Sequence, residues 1–368
     1  MAKSQKSLIV FMPSMDGGGV EKNIILISNF LSKNIKELIL ITFDNRFNDK
    51  FSKKINIINY KKKTNKRYSK YYKYFFCLLL LSKELIFNKN ASVLAFQANI
   101  YAIILSKLLR FEIIIRSNSS PTGWTNNKIK NYVFMKFFKV PRYIIVNSYD
   151  FKKEIDKKFN INTKVIYNPL NKIEIIKRSK EKLNNNFFKD DKVLKIINVA
   201  RFTNQKDQLT LLRAFKEVDK LINARLLLIG YGVNKKILLS YIKENKLTKK
   251  IKILTFQDNP YKFILKSDIF ILTSIYEGLP NVLLEALTLK KFIISSDCPT
   301  GPREILNNGK YGFLFKMKDH KDLHQKIIKY KNNKSFYKSY INKGFKSLER
   351  FDYNSNCEKY LSLVKKII

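Results

Sequence analysis

Short unbroken apolar runs alternate with longer stretches of helical periodicity along almost the whole chain. Leu8 to Met12, Leu38 to Phe43, Ile55 to Tyr60, Ser92 to Phe96, Phe111 to Ile115, Tyr143 to Asn147 and Lys164 to Tyr167 each read as a strand. Runs this short, without polar alternation, are what a parallel sheet covered on both faces produces. Between them, Val20 to Leu31 and Asn99 to Leu109 carry apolar residues at helical spacing, and another apolar helix starts near Tyr74. From Lys172 to Asp191 the chain is polar and charged without sustained period, and reads as an interdomain linker. The alternation then restarts. Lys195 to Ala200, Ala224 to Ile229, Ile251 to Phe256, Ile269 to Leu272, Phe292 to Ser296 and Gly312 to Phe315 read as strands, Leu209 to Val218 as a helix, and helices from Asp319 and from Ser335 to Ile368 finish the chain. Two rounds of this alternation predict an α/β protein. Its two Rossmann-like domains, 1–171 and 192–368 with linker 172–191, are expected to face each other across a central cleft at the carboxyl ends of their sheets, with the last helix of the chain crossing back to the first domain.

The most informative stretch is Asp268 to Glu285. Ile269 to Leu272 is a buried strand, Gly278 frees the backbone to turn, and Pro280 suits the first position of a helix whose apolar face is Val282, Leu283, Ala286 and Leu287. A helix N-terminus at the carboxyl end of a parallel strand carries about half a unit of positive charge and attracts anions. Glu277 in the turn and Glu285 in the second helical turn bracket it with hydroxyl-binding carboxylates. Glu277 and Glu285, eight apart around Gly-Leu-Pro-Asn, resemble the signature of glycosyltransferase family 4, the retaining, nucleotide-sugar-dependent enzymes of GT-B fold.

Two further loops agree with that resemblance. Arg201 and Lys206 lie on one strand-to-helix connection, where two cations can clamp a diphosphate. Gly17, Gly18 and Gly19 follow the first strand and bring backbone N–H groups close to a ligand. The resemblance implies that Arg201, Lys206 and Glu277 act on the transferring sugar and its leaving diphosphate. It implies donor contacts from Gly18, Gly19, Gly230, Phe256, Gly278, Leu279, Pro280, Asn281, Val282 and Glu285, with Glu285 on the ribose. Gly17, Arg116 and Asn118 are the expected acceptor contacts; many family members have a histidine near Arg116, whereas this chain's histidines are His320 and His324. The loop Asp297 to Ile305 resembles the subgroup that builds bacterial surface and lipid-linked oligosaccharides, which implies a hexose or N-acetylhexosamine donor, UDP-linked by preference, and a saccharide or lipid-linked acceptor. No metal and no cofactor is expected beyond the nucleotide-sugar itself, because Arg201, Lys206 and the helix N-terminus serve the diphosphate.

Composition adds one question. The chain has 72 Lys and Arg against 29 Asp and Glu, a net charge of +43. That invites a polyanion: nucleic acid, an anionic membrane surface or phosphorylated substrates. Lys61 to Arg67 is a dense basic run followed by Tyr71, Tyr72, Tyr74, Phe75, Phe76 and Leu78 to Leu81, the composition of a segment lying on an anionic membrane or of a solvated loop before a core helix. No nucleic-acid-binding motif accompanies the charge, so no nucleic-acid partner is expected, although a basic nucleic-acid-binding protein remains an alternative. A dinucleotide-dependent oxidoreductase would share the sheets, but the glycine fingerprint followed by a ribose-binding acid is missing. His320 and His324 stand at zinc-helix spacing with Lys321 where that motif needs glutamate. Cys77, Cys298 and Cys357 are scattered, with no disulfide or zinc-ribbon spacing, and no apolar run reaches the ~18 residues of a membrane span. The expected location is cytoplasmic, peripheral on the inner face of the cell membrane.

Overall fold

In this computed structural model the described residues are 7–15, 17–60, 68–118, 128–183, 186–190 and 192–368, the side chains of 128–130 excepted. The basic run Lys61 to Arg67 lies outside them. The chain divides into two compact units, Met1–Pro169 with Tyr353–Ile368, and Leu170–Asp352.

In the first unit β1 (Leu8–Phe11), β2 (Leu38–Thr42), β3 (Ile55–Asn59), β4 (Ser92–Ala95), β5 (Ile113–Arg116), β6 (Tyr143–Val146) and β7 (Lys164–Val165) form a parallel sheet in the order β3-β2-β1-β4-β5-β6-β7. Successive residues of β1 face opposite sides, as pleating requires. Leu8 and Val10 join Ile24 and Ile27 of α1 (Gly19–Leu31) in one core layer, while Ile9 and Phe11 join the layer beneath four further helices. Those are α2 (Lys70–Phe87), α3 (Asn99–Leu109), α4 (Lys128–Phe137) and α5 (Tyr149–Phe159), which contribute Cys77, Leu81, Ile103, Phe134 and Phe151 to it.

The second unit repeats the plan with β8 (Leu194–Val199), β9 (Ala224–Ile229), β10 (Ile251–Leu254), β11 (Ile269–Leu272), β12 (Phe292–Ser296) and β13 (Phe313–Phe315), all parallel, in the order β10-β9-β8-β11-β12-β13. Its helices are α6 (Lys172–Ser179), α7 (Gln208–Leu221), α8 (Lys235–Glu244), α9 (Tyr261–Leu265), α10 (Asn281–Thr288), α11 (Pro302–Ile305), α12 (His320–Asn332) and α13 (Lys338–Lys346). Both strand orders reverse beside a central strand, at β1 and at β8, and loops leaving such a reversal diverge into a crevice that open α/β sheets use for ligands.

Three sequence expectations change. The stretch read as a linker contains α6, capped by the Asn171 side chain and anchored by buried Ile175, and it belongs to the second unit. The long terminal helix is broken into α13, a tight turn at Ser347–Phe351, and α14 (Tyr353–Val364), whose Cys357, Tyr360, Leu361 and Val364 pack into the first unit's core beside α1. Pro280 is the cap of α10, with φ −71° and ψ 106°, and Asn281 is its first residue.

Candidate active site

The loops after β8 and β11 are laced together. The backbone N–H of Ile275 donates to Gln205 O at 2.8 Å, the Gln205 amide donates to Tyr276 O at 2.9 Å, and the Thr273 hydroxyl donates to Lys206 O at 2.8 Å. This lacing sets Lys206 beside Glu277, and the ammonium and carboxylate form an ion pair. Both side chains are largely withdrawn from water, so the pair is held in a medium where its charges are strongly felt. Arg201, on the same connection, is exposed; its carbonyl accepts from the Gln208 amide at 3.0 Å, and no ion pair to its guanidinium forms among the described residues. The structure thus brings together Lys206 and Glu277 but leaves Arg201 facing solvent.

Glu277 is fixed from a third side. Thr300 donates its hydroxyl to Glu277 O at 2.6 Å, and Gly301, with φ 89°, lies so close to the turn that a Cβ would stand 2.4 Å from Gly278 O and 2.8 Å from Pro280 Cδ. Gly278, Leu279 and Pro280 are buried, and Asn281 and Val282 are half-buried at the start of α10. Cys298 lies beneath: burial, and then the negative charge of Glu277, push its thiol up to about 12. Glu285 is buried in the second turn of α10, and the Tyr261 hydroxyl approaches its Oε1 at 3.5 Å. Tyr261 is steadied in turn by α6, whose Arg178 lies 5.7 Å over its ring and pairs with Asp258 at 2.7 Å, while the Asn259 amide donates to Arg178 O at 2.8 Å.

Gly230 has a packing role. A Cβ there would meet Ala200 O at 1.9 Å, so glycine is needed for the ends of β8 and β9 to close together. Phe256 is half-exposed beyond β10, edge-on to Tyr231 with ring centroids 6.0 Å apart, leaving an aromatic surface near the same strand ends.

In the first unit, Gly17 takes φ 88° and Gly18 caps α1. The Gly18 N–H donates to Glu21 Oε2 at 2.9 Å, the glutamate half of a capping box, while Gly19 opens the helix. The preceding residues are held by Gln97, which accepts from Ser14 N at 2.9 Å, and by Asp44, which accepts from Met15 N at 2.8 Å and pairs with Lys73 of α2 at 2.8 Å. Arg116 is fully buried, donating to Asn118 at 2.6 Å and to Asn168, with its guanidinium 5.5 Å from the Phe96 ring. Asn118 in turn donates to Phe96 O at 2.7 Å. Arg116 and Asn118 therefore knit the carboxyl ends of β4 and β5 to Asn168 rather than offering free groups to an acceptor. Charge on Arg116 also partly offsets the effect of burial on the fully enclosed Tyr360 of α14, whose hydroxyl is pushed up to about 12.

Residues 179–347 match the family model of glycosyl transferases group 1. Across those residues, all but the ends of the second unit, the chain is similar to the group 1 glycosyltransferases. An uncharacterized glycosyltransferase of Methanocaldococcus jannaschii is 35% identical over 58% of this chain and 59% of its own length, so the alignment spans under two thirds of that relative. The N-acetylgalactosamine-N,N'-diacetylbacillosaminyl-diphospho-undecaprenol 4-alpha-N-acetylgalactosaminyltransferase of Campylobacter jejuni is 23% identical over 94% of this chain and 96% of its own. Among solved structures, Anabaena HepE with UDP and glucose superposes with a TM-score of 0.80 at 16% identity, covering 98% of this chain and 100% of that one. This likeness shows the GT-B fold.

Within this site, several residues that shape it were not singled out from sequence. Gln205 and Thr273 lace the two loops, Thr300 and Gly301 fix the Glu277 turn, and Tyr261 reaches Glu285. The one local signal was Thr300-Gly301-Pro302 after β12, a turn-and-helix start legible as geometry but not as a brace for a loop 23 residues away.

Proposed function

We propose that this protein is a retaining glycosyltransferase that moves a hexose or N-acetylhexosamine from a UDP-sugar to a saccharide acceptor carried on a lipid, in bacterial surface polysaccharide or glycan assembly. The observation that carries the reading is the Lys206–Glu277 pair, set beside the start of α10 with Glu285 one turn further along. In this account Lys206 leaves Glu277 for the donor diphosphate, Arg201 swings in from solvent to share it, and the backbone at Gly278 to Val282 faces the phosphates. Glu277, released from its lysine, accepts hydrogen bonds from the sugar hydroxyls, and Glu285 takes the ribose. The glycosidic carbon loses its bond to the diphosphate oxygen and gains one to the acceptor hydroxyl on the same face. The acceptor's proton passes to the departing diphosphate, so no protein nucleophile is required. Phe256 and Tyr231 supply an aromatic surface for the base.

The support for a lipid-linked acceptor is the Campylobacter relative, whose name describes a diphospho-undecaprenol substrate. The support for UDP is the Anabaena structure, solved with that nucleotide. No described helix is long and apolar enough to cross a membrane, and attachment at the inner face of the cell membrane is part of the proposal. Thermal-shift screening against UDP-, GDP- and ADP-sugars tests the donor, since a ligand that binds only the folded state raises its stability by mass action. The largest shift is expected with a UDP-sugar; a larger one with GDP- or ADP-sugar would reassign the base.

A further inference from the structure

Helix α2 is apolar on more than the side it buries. Cys77, Leu81 and Leu85 enter the core, yet Tyr71, Phe75 and Leu79, at successive fourth positions on another face, are 74%, 59% and 52% exposed. Helices apolar all round belong inside a protein or against lipid. The exposure continues onto α3, whose Tyr101 ring lies 6.2 Å from that of Tyr74 and whose Leu108 is exposed two turns further on. Of the twenty large apolar side chains exposed among the described residues, eleven lie between Tyr71 and Val140, so the excess is local to this layer.

The charges around this face have one sign. Lys70, Lys83 and Lys107 are exposed on α2 and α3, and Arg110 follows α3. Among the described residues from 68 to 110 the one acid is Glu84, which is half-buried. A second copy docking face to face would set lysine against lysine on a chain already at +43. An anionic bilayer instead offers apolar depth for the rings and phosphates for the ammonium groups, whose long stems reach back to the headgroups.

We propose that the outer face of α2 and α3 is a membrane-docking surface that seats on an anionic bilayer, with Tyr71, Phe75, Leu79 and Tyr101 at the headgroup boundary and Lys70, Lys83 and Lys107 on lipid phosphates. The surface names a partner for the function proposed above and rests on the reading that the acceptor is lipid-borne. It also has a short route to the first unit's glycine loop. Lys73 on the inner side of α2 holds Asp44, and Asp44 holds Met15 N at 2.8 Å, two residues before Gly17.

The test is vesicle co-sedimentation of the full chain with phosphatidylcholine alone and with added phosphatidylglycerol. The wild type is compared with a triple variant Tyr71→Ser, Phe75→Ser, Leu79→Ser, and with a control Ile237→Ser, Leu239→Ser that removes exposed apolar groups from α8 of the second unit. Binding is expected only with phosphatidylglycerol, to fall at least roughly ten-fold in the triple variant and to be unchanged in the control. Equal binding by wild type and triple variant overturns the proposal, as does an equal loss in both variants. A wild-type dimer in sedimentation that the triple variant abolishes overturns it in favour of a self-association surface. Calorimetry with UDP on the same samples keeps the two readings apart: lost vesicle binding with intact UDP affinity is the expected pattern, and vesicle binding without any nucleotide affinity would leave the surface standing while the transferase reading falls.

Discussion

Lys206 and Glu277, 71 residues apart in the chain, form an ion pair across the loops that follow β8 and β11, with side chains only 14% and 9% exposed. Two opposite charges this far withdrawn stabilise each other, and each becomes costly if its partner is removed. Ligand binding must therefore give each a new partner at the moment it loses the old one. In the proposed function, a diphosphate for Lys206 and sugar hydroxyls for Glu277 would do so together.

Glu277→Gln is accordingly expected to lower turnover while leaving the affinity for UDP alone nearly intact, because its proposed partner is the sugar. Lys206→Met is expected to weaken both UDP and UDP-sugar by about 1–3 kcal/mol, the range for a lost charge-assisted hydrogen bond. Titration calorimetry with the two ligands checks both. Equal losses for UDP and UDP-sugar in Glu277→Gln would move that carboxylate to another role.

Glu285→Ala should weaken free UDP by about 1–3 kcal/mol. Tyr261→Phe should have a smaller effect in the same direction, since its hydroxyl stands at 3.5 Å from the carboxylate, near the limit of a hydrogen bond. Unchanged UDP affinity in Glu285→Ala would sink the ribose assignment.

The fold was legible because buried parallel strands announce themselves: Ile269–Leu272 is apolar in sequence and buried at every position in the structure. The turn before α10 was legible too, since Gly278 and Pro280 are local signals. Pairings between distant residues were not, because nothing in a single sequence tells Lys206 which of many carboxylates it will meet. The burial of Arg116 was not legible because arginine is rarely fully buried without a carboxylate, and its acceptor Asn168 is 52 residues away. Helix α6 was lost in a charged stretch because its eight residues put only Ile175 and Ser179 fully inside. The Gly18–Glu21 hydrogen bond was within reach, three residues apart, but glycine at the cap hides a signature usually read from serine or threonine.

Gly301→Ala is expected to destabilise the second unit by about 1–3 kcal/mol, from overpacking against Gly278 O and from a backbone conformation that alanine resists. In a domain of this size each kcal/mol lowers Tm by about 2–4 °C. Because the clash falls on the turn that carries Glu277, affinity for the donor should drop in protein that is still folded. A Tm shift without any change in donor affinity would detach Gly301 from the site.

The buried thiol of Cys298 gives a pH signature. Its value is raised from an ordinary 9 to about 12, so the folded state keeps a proton that the unfolded state releases. The resulting stabilisation is complete below about pH 9 and is lost as pH climbs from there towards 12. Urea denaturation across that range should show wild-type stability falling more steeply than that of Cys298→Ala; parallel curves would contradict the burial argument.

The central claim is transfer itself. The decisive measurement follows a labelled hexose or N-acetylhexosamine from its UDP donor to a polyprenyl-diphosphate-linked saccharide, with the anomeric configuration of the product read by NMR. The account predicts transfer with the donor's α-configuration kept, abolished in Glu277→Gln. Transfer with inversion, or transfer that survives in Glu277→Gln at the wild-type rate, would contradict it.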